Sequence, residues 1–123
     1  MSLLPIQTFN LSNTKQLQVV NGHFKVDVAV WLFLNSPALV KNGCLVLRYF
    51  DGNSYKTKTL DKLLQPSAAN TLLSARVSLP AALKNTELEL CVSIEGSSFK
   101  LDSVHWSPII DPIKIAPKTL YAA

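Results

Sequence analysis

Only two of the 123 residues are cysteine, four are glycine and two are histidine, and each shortage excludes some chemistry. Cys44 and Cys91 cannot by themselves close a four-thiolate metal site, and no CxxC pair is present. Gly22, Gly43, Gly52 and Gly96 stand singly, one to each expected turn, so no glycine-rich loop is available to cradle a phosphate. There is no HExxH pair and no calcium loop of the DxDxDG kind, and no metal or cofactor is expected. His105 can be written into a relay with Ser103 and Asp102 on paper. Residues one to three apart on an extended chain point to different faces or stand too far along it, so that relay does not close. With no nucleophile and base at a working spacing, a protein that is not an enzyme is expected.

Charge is also scarce. Charged residues make up 16% of the chain and apolar ones 48%, which excludes a disordered polymer. Twelve basic against eight acidic residues leave +4, too mild for a dedicated basic tail. No apolar run approaches the roughly 20 residues a helix needs to span a bilayer, so no membrane partner is expected. The opening MSLLPIQTFNLSN lacks the basic and long apolar regions of a secretory signal. That points to the cytoplasm, or to an extracellular protein whose leader is trimmed or whose export takes another route.

What the chain does have is short β-forming runs punctuated by Asn, Gly, Pro and Ser. Phe24–Leu34 is the clearest: Phe24, Val26, Val28, Val30, Leu32 and Leu34 fall at period two and define a core face. Ahead of it, Ile6–Leu11 and Leu17–Val20 are short candidates, and Asn21-Gly22 is a strong hairpin turn. Cys44–Phe50 and Tyr55–Leu60 form a second hairpin around Asp51-Gly52. Asp61–Leu64 reads as one helical turn before Pro66.

Leu72–Leu79 alternates again, with Leu73, Ala75, Val77 and Leu79 on one parity, and Pro80 ends it. Glu87–Glu95 sends Leu88, Leu90, Val92 and Ile94 inward. In Phe99–Trp106 the apolar parity switches between Leu101 and Val104; a bulge near Asp102-Ser103 would return Phe99, Leu101, Val104 and Trp106 to one core face. The final segment, with Pro108, Pro112 and Pro117, reads as an edge strand or an extended strap.

Seven to eight short strands and no long helix specify an all-β fold, an antiparallel β-sandwich, with a closed barrel as the alternative. Residues 1–123 form a single domain with an extended Pro-containing segment from about residue 107. Both cysteines fall inside strands and read as buried free thiols, or as a mutual disulfide if their Cα atoms come within roughly 4.4–6.8 Å.

Three clusters are candidates for function. Glu87 and Glu89 have a separation compatible with glycosidase carboxylates, but period-two glutamates on the outer face of an amphipathic strand are what solubility alone produces, and that reading is favoured. Lys41, Arg48, Lys56, Lys58 and Lys62 gather near Tyr49, Phe50 and Tyr55, a mixture that can track a nucleic-acid strand. Asp51 and Asp61 interrupt it and the chain has only two arginines, which favours a solvated hairpin face over nucleic acid. The third cluster is the most distinctive: Trp31 and Phe33 lie opposite the core stripe of their strand. Tyr49, on the Leu45/Leu47 side of the next strand, is expected to stand beside them.

The strand order, the ending FKLDSVHW with Asp102 shortly before Val104, and aromatics off the core face together resemble the jelly-roll sandwiches of carbohydrate-binding modules. The resemblance spans roughly residues 24–106 and is one of architecture. It implies a jelly-roll-like fold and non-catalytic sugar binding. Trp31, Phe33 and Tyr49 are then the ligand-binding residues. The alternative is a structural or assembly protein whose aromatic face and edge strands meet other protein subunits, including copies of itself. A third reading covers Trp31 and Phe33 with the Pro-rich C-terminal strap.

Overall fold

A computed structural model describes residues 3–12 and 18–109. Seven strands are present among the described residues: β1 (Leu4–Asn10), β2 (His23–Leu34), β3 (Asn42–Phe50), β4 (Tyr55–Leu63), β5 (Asn70–Pro80), β6 (Glu87–Glu95) and β7 (Phe99–Pro108). Two short 3-10 turns, Pro37–Leu39 and Ala81–Asn85, are the only helical segments among the described residues. No helix there is long and apolar enough to cross a membrane.

The strands form two antiparallel sheets, ordered β1-β6-β3-β4 and β5-β2-β7. Three of the pairings nest in sequence: β1 with β6, β2 with β5 and β3 with β4. Such nesting is one antiparallel ribbon folded over, the winding of a jelly roll. The β3–β6 pairing completes the larger sheet, and β7 adds to the other edge of β2. The chain is therefore an open β-sandwich and not a closed barrel.

A continuous core face follows from the period-two patterns, while β3 and β6 also bury Val46, Cys91 and Ser93 on their other face. All six core-parity residues of β2 are at most 2% exposed. Facing them from the larger sheet are Leu45 and Leu47 of β3 and Leu88, Leu90 and Val92 of β6, with Leu73, Val77 and Leu79 of β5 alongside β2. The sheets close on each other at two corners. On one side the Phe9 ring of β1 stacks on Trp106 of β7, with centroids 4.7 Å apart and planes inclined by 22°. On the other, the Ser74 backbone N–H of β5 donates to Asp61 Oδ2 of β4 at 2.9 Å.

Several expectations are met to within a residue or two, Glu87–Glu95 at both ends. The register between β2 and β7 shifts at Trp31/Leu32, where Ser103 and Leu101 are the partners, so Asp102 is the extra residue of a bulge. The bulge brings Phe99, Val104 and Trp106 against the core. Leu101, expected with them, is 42% exposed, because it pairs with Leu32 on an edge strand that has no outer neighbour in its sheet. The Asn21-Gly22 turn forms with both φ angles positive, at 54° and 76°, but Val20 contributes only an isolated bridge to His23. The remainder of the Leu17–Val20 candidate includes Leu17, outside the described residues, as is the strap beyond Ile109.

Two readings are corrected. Asp61–Leu64 is not a helical turn: β4 continues to Leu63 across a register shift, since β3 still offers Gly43, Cys44 and Leu45 as partners. Gly43 is not a turn glycine. It is buried inside β3, and a Cβ there would lie 2.9 Å from Ile94 Cδ1 and from Leu63 Cβ. The residue is small because two flanking side chains fill its space. Both cysteines are free, Cys91 buried and Cys44 half-buried. They sit diagonally across β3 and β6, Cys44 opposite Ser93 and Cys91 opposite Val46. Diagonal pairs are separated by about 7–8 Å, beyond ordinary disulfide reach.

Candidate functional site on the three-stranded sheet

Burying Phe24 through Leu34 forces the alternate residues of β2 outward, so Lys25, Asp27, Ala29, Trp31 and Phe33 line the middle of the sheet's outer face. Cross-strand register then decides their neighbours. Trp31 lies between Leu72 of β5 and Ser103 of β7, and Phe33 between Asn70 and Lys100. Trp31 is 39% exposed, Phe33 43% and Leu72 42%. No described segment covers the two rings, so along this stretch they face outward.

Toward the other end of the face the central side chain shrinks to Ala29. Ser74 and His105 flank it, and the next row holds Arg76, Asp27 and Ser107. A small residue between taller ones leaves a trough of about 630 Å³ lined by these groups. Arg76 closes it with a two-point ion pair, Nε to Asp27 Oδ1 at 3.0 Å and Nη2 to Asp27 Oδ2 at 3.2 Å. The bond to Asp27 raises the Arg76 guanidinium further above its ordinary value. An exposed pair of this kind adds little stability, but it fixes two planar polar groups in one orientation. Asn70, Lys100, Asp102, Ser103 and His105 have no side-chain hydrogen-bond or ion-pair partner among the described residues.

Tyr49 does not join this face. It lies on β3 in the other sheet and points inward with Leu45 and Leu47, packed against the core opposite Leu88. The parity that groups it with two leucines is a core parity, and this removes it from the three-ring platform. Leu72, Ser74, Arg76 and His105 are members that sequence reasoning did not assign to the site. The alternation of Leu72–Leu79 does show which of its residues point outward, but only the pairing of β5 and β7 with β2 brings them beside Trp31 and Ala29.

The middle-third cations are dispersed. Arg48 is bound to Glu89 across β3 and β6, Nε to Oε1 at 2.7 Å, and Lys56 lies 3.9 Å from Asp51. Lys58 reaches over the corner to the Ser78 carbonyl of β5 at 3.5 Å. No continuous basic track results. Among the described residues no three His, Cys, Asp or Glu side chains converge to hold a metal. No protein-family model, no curated protein and no solved structure matches this chain.

Proposed function

We propose that this protein is a non-catalytic binding module that stacks a glycan's sugar ring on the outer face of β5-β2-β7. The supporting observation is that the exposed rings of Trp31 and Phe33 share one face with Asn70, Lys100 and Ser103, whose side chains have no hydrogen-bond partner among the described residues. A pyranose presents a CH-rich face ringed by hydroxyls. An aromatic side chain accepts the first, and amide, hydroxyl and charged groups accept the second. The trough over Ala29 continues the face in the strand direction, with the Asp27–Arg76 pair at its far end to meet neighbouring hydroxyls. Three half-exposed apolar side chains also fall well short of the roughly 800 Å² per partner that a stable protein interface buries.

The test is a titration with a panel of soluble oligosaccharides, read by tryptophan emission. Trp31 is exposed while Trp106 is stacked on Phe9, so a bound sugar shifts the Trp31 contribution. Trp31→Ala should abolish the shift and weaken retention about tenfold or more. Ala29→Phe, which fills the trough and leaves both rings in place, should weaken binding of longer glycans. A panel in which no sugar shifts the emission overturns the proposal.

Leu72 supports a second reading. Beside Trp31 it extends the apolar patch across two strands, as a protein-subunit contact would require. Growth through the free edges is opposed, because β1 carries Pro5 with a register shift and β7 carries the Asp102 bulge and Pro108. Assembly would therefore use the face. A stable oligomer in light scattering that ignores sugars and that Trp31→Ala dissociates would establish this reading instead.

A further inference from the structure

The outer face of the other sheet carries a groove unlike the first, of about 600 Å³, at the end where β3, β4 and β6 meet. Phe50 and Tyr55 pair across the β3–β4 hairpin, and their rings meet edge to face, with centroids 5.2 Å apart and planes at 66°. Both are outward: Phe50 is 43% exposed and Tyr55 73%. Across the groove stand Arg48, Glu89, Thr86 and Glu87. Arg48 and Glu89 neutralise each other through a hydrogen-bonded ion pair. Glu87 is left as the groove's carboxylate with no ion-pair partner among the described residues.

Two ring walls set at an angle, an unpaired carboxylate and a neutralised base favour an organic cation. We propose that this groove binds an alkylated ammonium group, with Phe50 and Tyr55 against its methyls and Glu87 balancing its charge. The negative face of an aromatic ring attracts a cation, and a diffuse, methylated charge gives up water more readily than a bare ammonium. The open, wet setting of the groove therefore selects the alkylated form. An anionic ligand is opposed by Glu87 and finds Arg48 already engaged. The site is independent of the glycan reading, because it lies on the opposite sheet and shares no residue with Trp31, Phe33 or the trough.

The experiment is an amide chemical-shift titration of the whole chain with tetramethylammonium chloride, beside 3,3-dimethylbutan-1-ol, whose neutral tert-butyl group has the shape of a trimethylammonium head. Expected are shifts at the amides of Phe50, Tyr55 and Glu87 with the cation and none there with the alcohol. Glu87→Gln, an isosteric change on an exposed outer-face position, should abolish the response. Tyr55→Ala should weaken it roughly two- to fivefold, the size of an exposed cation–π contact. Choline and trimethyl-lysine amide, titrated next, distinguish a small-molecule from a peptide carrier of the same head. Equal shifts with the alcohol, an unchanged response in Glu87→Gln, or no shift at these amides would overturn the proposal. A failure confined to the amides of β2, β5 and β7 with sugars bears only on the glycan reading.

Discussion

Gly52 and Gly96 share a backbone conformation, with φ of +103° and +102°, yet only one of them is crowded. A Cβ on Gly52 meets nothing within 4 Å, whereas one on Gly96 would lie 2.0 Å from the Leu39 carbonyl oxygen. Gly96 is pinned there because the neighbouring turn is tied to the segment after β2. Asn35 N–H donates to the Ser98 carbonyl at 3.0 Å, Ser36 N–H to Ser97 Oγ at 2.9 Å, and Lys41 N–H to the Glu95 carbonyl at 2.8 Å. Gly52→Ala should lose about 1 kcal/mol through conformation alone. Gly96→Ala should lose more, about 2–3 kcal/mol, in urea unfolding, because the loop must also move. Asp51, in the same turn as Gly52, accepts the Ser54 and Asn53 backbone N–H groups at 2.9 and 2.8 Å. Those two bonds, Ser54 first, hold its carboxyl below the usual carboxylate value. A depressed folded value means that the stabilisation is present above the unfolded value, about pH 3.9, and is lost as pH falls through the folded one. Asp51→Asn keeps an acceptor oxygen and removes the titration. Its urea midpoint should therefore decline less than the parent's as pH is lowered below about 4.

At the scale of elements, β6 holds the larger sheet together. It pairs with β1 on one side and β3 on the other, and its inward residues reach the core between them. Leu90, fully buried at its centre, belongs to the core cluster and pairs with the equally buried Leu47 of β3. Leu90→Ala should cost about 2–5 kcal/mol in urea unfolding, the range for a buried leucine whose cavity cannot collapse. β2 plays the same part in the smaller sheet, between β5 and β7. In these two central strands the apolar alternation runs unbroken in the sequence. Of the edge strands β5 also keeps its alternation and register, while the other three are less regular because they are under different pressure. β1 and β7 are interrupted by register shifts and prolines that blunt an unpaired edge, and β4 carries lysines for the same reason.

For the molecule as a whole, the sandwich separates the core from the two proposed binding faces. The core lies between the sheets, while Trp31 and Glu87 stand on opposite outer faces. Glu87→Gln should move the unfolding free energy by no more than about 0.5 kcal/mol, as surface changes away from the core do, whereas Trp31→Ala, which removes a ring only 39% exposed, should cost about 1–2 kcal/mol. Their double variant should be additive within about 0.5 kcal/mol, since the sites share no partners. Thermal unfolding of the single and double variants checks both statements. A large coupling between the two positions would mean that the faces communicate through the core.

The sequence by itself determined the class of fold and the identity of its core. Period two in Phe24–Leu34 and in Glu87–Glu95 specifies strands with one continuous core face, and even the bulge at Asp102 is legible, because a switch in apolar parity has to be absorbed somewhere; the burial of Cys91 and Ser93 on the other face of Glu87–Glu95 was not. Such signals are local: they concern which side of its own strand a residue occupies. Tertiary structure alone decided which strands are neighbours, and therefore which outward residues meet. Tyr49 and Trp31 are both aromatic residues in strands, yet one faces the core from the larger sheet and the other faces out from the smaller. Arg48 meets Glu89, Phe50 meets Tyr55, and Ala29 becomes the floor of a trough only through cross-strand register. Contacts between residues far apart in the chain, 49 positions at Asp27 and Arg76 and more at Phe9 and Trp106, are set by the pairing of whole strands, and the backbone bonds and buried area of an entire strand outweigh the preferences of any single outward side chain.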